Sequence, residues 1–349
     1  MTTAFSGRAA ALAIVTFAAT PALAADPVED FYKGRQITFL VSTEPGTPYD
    51  AYARTLGQFL PDHIPGKPTI VMQNMVGAGG IRATNHLANN APKDGTVIAA
   101  VHSAIPTTPL LAPAAVQYDS RKMGWIGSIT KEVYTGYVWT ATAPAQTFEE
   151  SKQKQNIMGG ITVGTTSVDL SIVSNELFGT KFKIVTGYKS SPEAKLAMEK
   201  GEIHGVYGNA YTSLKLEQPD WLRDKKVKII IQHGFTKHKD LPDVPLLVDQ
   251  AKTPEARALL NVLLARQETG KPVLAGPDLP PERLAALRTA FDRTVKDPRF
   301  VAQLEKIGLP LEEPMGGVAV AELASKLADT SPAVVKRLEA ILAKFTEGK

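Results

Sequence analysis

Two turns within the first hundred residues constrain this chain more than any other feature. One is Ser42-Thr43-Glu44-Pro45-Gly46-Thr47-Pro48-Tyr49-Asp50, and the other is Asn74-Met75-Val76-Gly77-Ala78-Gly79-Gly80. Each follows an apolar, β-branched run (Ile37 to Val41; Thr69 to Met72), and each opens a polar-capped helical pattern. A strand–turn–helix unit leaves the first amides of its helix without intrahelical partners, and such amides suit an anion. Two such units in close succession predict a doubly wound α/β fold that holds a negatively charged ligand at its strand ends.

The alternation continues down the chain. Gln36–Ser42 reads as a strand and Tyr49–Asp62 as an amphipathic helix with Tyr52, Leu56, Phe59 and Leu60 on one face. Thr69–Gln73 is the second strand, Ile81–Ala91 the next helix and Thr96–Val101 the third strand. After Tyr118-Asp119 come two aromatic-rich strands, Trp125–Thr130 and Val133–Thr140, and a polar segment read as a helix, Phe148–Gln155. A second set of units follows: strand Ile161–Thr165, helix Asp169–Phe178, strand Lys183–Thr186, helix Pro192–Lys200 and strand Ile203–Tyr207. From Pro280 the pattern is helical: Pro281–Thr294, Pro298–Ile307 and Ala319–Lys344, and these C-terminal helices are expected to buttress the first lobe. Organisation that repeats without repeated sequence predicts two similar α/β lobes, each a mainly parallel sheet flanked by helices. The expected limits are 25–133 plus 267–349 for the first lobe and 134–266 for the second, joined by crossing strands.

The N-terminus has the pattern of an export signal. Arg8 is the only ionisable side chain before Asp26, Ala9 to Ala19 is almost unbroken apolar sequence, and Ala22-Leu23-Ala24 is small-x-small. Cleavage after Ala24 is expected, making 1–24 a signal peptide; the run is too short for the roughly 20 residues of a spanning helix. With Cys 0, thiol catalysis, disulfides, cysteine-ligated metals and a lipid anchor on cysteine are all excluded. A protein free in the periplasm is expected. The formal net charge of +4 is spread among interleaved acids, and no basic stripe with stacking aromatics supports nucleic-acid binding.

Several of these motifs together resemble a known family. They are the exported leader, Asp50-Ala51-Tyr52-Ala53-Arg54, "MVGAGGIRATNHLANNAPKDGT", Tyr118-Asp119, "VGTTSVDLSIVSNELF", "GYKSSPEAKLAMEKGEI" and "LPDVPLL". In that order they are similar to the periplasmic solute receptors of tripartite tricarboxylate transporters, the TctC or Bug group. The resemblance covers nearly all of the mature chain. It implies a non-catalytic, cofactor-free and metal-free two-lobed clamshell, expected as a monomer. The clamshell would trap a di-, tri- or aromatic carboxylate and hand it to a membrane permease. It further implies that loops grip the carboxylate with backbone amides, hydroxyls and waters rather than with arginine.

Carried over, the resemblance points to a first gripping loop at Glu44–Asp50, with Gly46, Thr47, Tyr49 and Asp50 as candidates. It adds His102 and Ser103 at the third strand's end, Thr165, Thr166 and Ser167 at the second lobe's helix start, and Asn209. The family often has an Asp-Asn pair at the last of these; here Gly208 precedes Asn209. Glu44, Thr47, Pro48 and Tyr49 also replace a nearly side-chain-free, glycine-rich turn, which points to a ligand with a ring or an amine.

Simpler roles compete at each position. Thr165-Thr166-Ser167 supplies three hydroxyls where an N-cap needs one. Gly77-Ala78-Gly79-Gly80 is either a tight turn or a ligand loop; it is not a dinucleotide fingerprint, because Arg82 stands at the third glycine's place. Asp50 favours a capping role, since like charges repel, and Arg54 one turn on is its natural partner. Tyr49 either stacks on a ring or covers its loop. A protonated His102 would tighten anion binding as pH falls. An α/β enzyme acting on an acidic metabolite, with His102 beside Ser103, and a receptor for a membrane sensor kinase are the alternatives to transport. Neither a glycine-flanked serine elbow nor a zinc-type histidine pair is present.

Overall fold

The computed structural model describes residues 1–2, 26–188 and 191–347, so the expected export signal lies, apart from Met1 and Thr2, outside the described residues. The chain begins with helix α1 (Pro27–Tyr32) and strand β1 (Gln36–Val41). Helix α2 (Pro48–Phe59), strand β2 (Thr69–Asn74), helix α3 (Ile81–Asn89) and strand β3 (Val97–Ala100) follow. Then come helix α4 (Thr108–Leu111), strands β4 (Gly124–Ser128), β5 (Tyr134–Trp139) and β6 (Asn156–Gly159), helix α5 (Thr166–Phe178) and strand β7 (Phe182–Val185). Helix α6 (Ser191–Glu199), strand β8 (Gly205–Ala210), helices α7 (Tyr211–Glu217) and α8 (Pro219–Arg223) and strand β9 (Val227–His233) complete the middle of the chain. Helix α9 (Pro254–Glu268), strand β10 (Pro272–Ala275), helices α10 (Pro281–Thr294) and α11 (Pro298–Lys306), strand β11 (Met315–Gly316) and helices α12 (Gly317–Ala328) and α13 (Pro332–Glu347) end it.

The strands form two sheets, ordered β11-β4-β10-β3-β1-β2 and β7-β6-β8-β5-β9. Strands linked by helical units pair in parallel: β1 with β2 and β3, and β6 with β7 and β8. The strands that arrive from the other lobe run the opposite way. β10 is antiparallel to β3 and β4, and β5 is antiparallel to β8 and β9. Both sheets are therefore mixed, and this is the two-lobed architecture of periplasmic binding proteins.

The lobes are joined where three segments lie side by side. Residues 129–133 leave the first sheet, residues 267–271 return to it, and residues 310–313 lie alongside. The Ile129 amide donates to the Lys271 carbonyl at 3.0 Å, and the Glu132 amide to the Gln267 carbonyl at 3.0 Å. Lys131 donates its amide to the Glu312 carbonyl at 2.7 Å. Gly270 permits this approach, since a Cβ there would stand 2.5 Å from the Thr130 carbonyl oxygen. Between the segments the Lys271 ammonium meets the Glu132 carboxylate at 3.0 Å, both side chains being almost fully buried. The other Glu132 oxygen accepts the Thr212 hydroxyl from α7.

Three sequence readings are corrected. The β-branched run Ile161–Thr165 is a loop, not a strand; the strand is β6, which stops at Gly159-Gly160. A Cβ on Gly160 would stand 2.5 Å from Val168, and Gly164 has φ +92°, so the chain turns here to start α5. Phe148–Gln155 holds only a single 3₁₀ turn, Glu150–Lys152. The single helix expected over 319–344 is two helices, because Pro332 has no amide to continue one and holds Ser331 out of helical geometry. They serve different lobes. Val320 and Ala324 of α12 pack with Trp125 and Leu274 of the first sheet. Leu338, Ile341 and Leu342 of α13 join the second core, with Val168, Leu170 and Leu263. Helices α10, α11 and α12 thus pack on the first lobe, as expected of the C-terminal helices, and α13 alone packs on the second.

Removing the lysine of the crossing pair should leave a buried, uncompensated carboxylate. Lys271→Met is expected to lose about 3–5 kcal/mol in urea unfolding, and Lys271→Met with Glu132→Gln to recover most of that loss. Equal losses in the two variants would show that the pair is not the stabilising feature.

Candidate functional site

A cavity of about 650 Å³ lies between the lobes. The first lobe contributes the start of α2, the glycine turn before α3 and the loop after β3. The second contributes the β6–α5 loop, the start of α6 and the end of β8.

On the first-lobe side Tyr49 stacks on His102, ring centroids 5.0 Å apart and planes 13° from parallel. The Tyr49 hydroxyl accepts the Ser103 amide at 3.4 Å, and the Lys271 ammonium lies 4.2 Å from the centre of its ring. Burial raises the Tyr49 pKa. Burial, followed by the charges of Lys271 and Arg266, pushes His102 down to about 4. The imidazole is therefore neutral near pH 7, and the expectation that its protonation tightens anion binding does not apply above that value. Gly79 and Gly80 have φ of +61° and +92°, and a Cβ on Gly80 would stand 3.1 Å from the Ser42 hydroxyl and 3.2 Å from the His102 amide. The close approach to the residues just past β1 and β3 favours glycine at 80, and the positive φ favours it at 79.

Gly46, Thr47 and Asp50 are brought together behind this wall and do not border the cavity. The Thr47 hydroxyl caps α2 by accepting the Asp50 amide. The Asp50 carboxylate accepts the Gly46 amide at 3.0 Å, Arg54 at 2.8 Å and the Asn74 side-chain amide at 2.9 Å. Burial works to raise its pKa, but these hydrogen bonds hold it below the usual carboxylate range. Asp50 thus shapes the loop and pairs with Arg54, but the cap expected of it is supplied by Thr47. Ser103 is also buried behind the wall, its hydroxyl 3.3 Å from that of Tyr134. Among the described residues no imidazole or carboxylate pairs with that hydroxyl, and the neighbouring His102 accepts the Ala104 amide instead.

On the second-lobe side Thr165, Thr166, Ser167 and Asn209 border the cavity. Thr165 is the N-cap of α5, but its hydroxyl does not cap: it donates to the Thr162 carbonyl at 2.5 Å and lies 3.2 Å from the Ser167 hydroxyl. The amides of Thr166 and Ser167 hydrogen-bond to no described residue, leaving the positive end of a 13-residue helix open at the cavity wall. Asn209 donates to the Ser191 hydroxyl at 2.8 Å. Gly208, in place of an acid, has φ +72°, and a Cβ there would stand 2.7 Å from the Thr166 carbonyl oxygen. The end of β8 is pressed against the first turn of α5 at a point where no side chain fits.

Sequence reasoning missed Arg266. It borders the cavity from the last turn of α9, its side chain 3 % exposed. Its Nη1 lies 3.3 Å from the Asp169 carboxylate, and its Nε donates to the Thr107 hydroxyl at 3.1 Å. The signal was a charge directly after the mostly apolar run Leu259–Ala265, matched by Asp169 inside α5. Burial raises the Asp169 pKa, outweighing the opposing pull of Arg266 and of the Gly164 amide. Among the described residues bordering the cavity, Arg266 is the one formally charged side chain, and no acid borders it. No cluster of described residues has the make-up of a metal site, and no described helix is long and apolar enough to cross a membrane.

The fold and this cleft define a two-lobed solute-binding protein. The sequence profile of the tripartite tricarboxylate transporter family receptor, TctC, matches residues 62–340, and the chain belongs to that family. Protein BugT of Bordetella pertussis is 38 % identical over 88 residues, a match spanning 25 % of this chain and 26 % of BugT, about a quarter of each. A ligand-free TctC solute-binding protein from Polaromonas superposes with a TM-score of 0.65 at 18 % identity, covering 90 % of this chain and 99 % of that one. MatC of Rhodopseudomonas palustris, solved with bound malate, gives 0.63 at 19 % identity, covering 88 % and 99 %.

The His102 environment predicts a pH dependence of stability. Its native pKa of about 4 lies below the ordinary 6.5, so between those values the unfolded chain holds a proton that the folded chain does not. Stability should rise with pH from about 4 to about 6.5 and level off above. His102→Gln should make that rise shallower in urea midpoints measured across pH 4–8; an unchanged slope would contradict the burial assigned to this ring.

Proposed function

We propose that the protein is a periplasmic receptor that captures a small organic carboxylate between its lobes and delivers it to a tripartite tricarboxylate transporter permease. The observation that carries this reading is the open start of α5. Two amides and the Thr165 and Ser167 hydroxyls border a cavity that no acidic side chain enters among the described residues. Amides at a helix start attract an anion without a proton-transfer group, and no nucleophile–base pair is seen among the described residues of the site. MatC, with its bound malate, is a member of the same fold and gives the reading a chemical precedent.

In this reading Tyr49, His102, Thr165, Thr166, Ser167 and Asn209 touch the ligand. Gly46, Thr47, Asp50 and Ser103 hold the first wall in shape. The first lobe is 25–133 with 267 to about 330, the second is 134–266 with α13, and hinge motion at the crossing segments closes the cleft. The stacked Tyr49–His102 pair offers a flat face to an apolar or aromatic portion of the ligand. The chain acts as a monomer, with an export signal that sends it to the periplasm.

Thermal unfolding of the mature protein against mono-, di-, tricarboxylic and aromatic acids tests the reading. An acid at about 100 times its Kd adds roughly 2.7 kcal/mol, enough to raise the midpoint by a few degrees. Ser167→Ala should weaken that acid about 10- to 100-fold, as expected for a lost hydrogen bond to a charged group. No shift with any acid, in protein shown to be ligand-free, would overturn the carboxylate assignment.

A further inference from the structure

We propose that Arg266 determines the specificity of this cleft, its guanidinium hydrogen-bonding an acidic group of the ligand while Asp169 and Thr107 hold it in place. The inference rests on the carboxylate reading and adds to it a cationic anchor, where the family resemblance implied none.

A guanidinium keeps its charge at any accessible pH, so burying it requires partners for its donors. Arg266 is incompletely satisfied. Nε reaches Thr107 at 3.1 Å and Nη1 reaches one oxygen of Asp169 at 3.3 Å, whereas Nη2 hydrogen-bonds to no described residue. The contact to Asp169 is neither two-pronged nor short; a paired arginine and carboxylate ordinarily make two bonds of about 2.7–2.9 Å. Asp169 is shared, its Oδ1 accepting the Gly164 amide at 2.7 Å. One carboxylate therefore ties the β6–α5 loop to the guanidinium and sets Arg266 beside the helix start that carries the open Thr166 and Ser167 amides.

This arrangement suits an acid. Asp169 has no exposed surface and does not border the cavity, while Arg266 does. The ligand meets the cation, and the anion stays behind it. Without Arg266 the buried Asp169 would disfavour any acid at the helix start. Thr107 lies in the chain that follows β3, and its hydroxyl also donates to the Ala104 carbonyl at 2.9 Å. Arg266 thus touches the segment after the first lobe's third strand as well as α5 of the second lobe, and an acid bound to it would be sensed on both sides of the cleft.

Isothermal titration with malate, citrate, adipate and benzoate, each paired with its neutral amide, tests this. Wild type should prefer at least one acid over its amide by tenfold or more. Arg266→Gln with Asp169→Asn removes both charges and so avoids an unpaired buried one; it should bind that acid about 10- to 100-fold more weakly and lose most of the preference over the amide. Arg266→Lys, which keeps the charge but not the fork, should lose severalfold. Asp169→Asn alone, which leaves the arginine, should keep the preference for the acid. Acid binding within twofold of wild type in the double variant would overturn the proposal and leave the carboxylate reading standing, as would loss of the acid preference in Asp169→Asn. Failure of wild type to bind any of the acids would remove both.

Discussion

The architecture depends on how three chain segments cross between the lobes. Residues 129–133, 267–271 and 310–313 exchange backbone hydrogen bonds at a point where Gly270 is needed for the segments to come together. The Glu132–Lys271 pair closes the junction, and the second oxygen of Glu132 takes a hydroxyl from α7. The same lysine lies over the Tyr49 ring, which stacks on His102 at the cavity wall. One buried ion pair therefore connects the hinge to the first-lobe face of the cleft. Buried pairs add little net stability compared with apolar packing, but breaking one is costly, and that asymmetry suits a junction that must keep its register.

The cleft divides its labour between walls. The first is built by capping: Thr47, Asp50, Arg54 and Asn74 consume one another's hydrogen-bonding capacity, so the α2 start has little left for a ligand. The second does the reverse. Thr165 stands at the N-cap but spends its hydroxyl on Thr162, leaving the α5 amides open. Two helix starts that look alike in sequence thus have opposite roles, and the difference lies in where one threonine hydroxyl points.

Much of the fold was legible in the sequence because its strand–turn–helix units carry strong punctuation. β1, α2, β2, α3 and β3 all lie within a few residues of their expected positions. The failures have specific causes. Ile161-Thr162-Val163 has strand composition, but Gly160 and Gly164 turn it into the loop that borders the cavity. Mixed pairing was hidden because strand direction depends on where the chain re-enters a sheet, which no local pattern records. Ser331-Pro332 was passed over as a helix break, and with it the return of α13 to the second lobe. The cavity lining was half legible: Tyr49, His102, Thr165, Thr166, Ser167 and Asn209 border it and were read from their places at strand ends and helix starts. Arg266 was not, because it comes from the last turn of a helix whose apolar neighbours suggest only core.

The charge balance around the cleft is consistent with a receptor that must release what it binds. In the proposed reading, a neutral His102, open amides and the Arg266 guanidinium already shared with Asp169 would attract an acid moderately, where two unpaired arginines would hold it far more tightly.

The central claim is that a carboxylate sits at the start of α5. The most direct measurement is a crystal structure of the mature protein with the acid that most raises its unfolding midpoint. The account predicts carboxylate oxygens within hydrogen-bonding distance of the Thr166 and Ser167 amides, with both lobes in contact with the ligand. An acid bound elsewhere, with those amides facing only solvent, would contradict it.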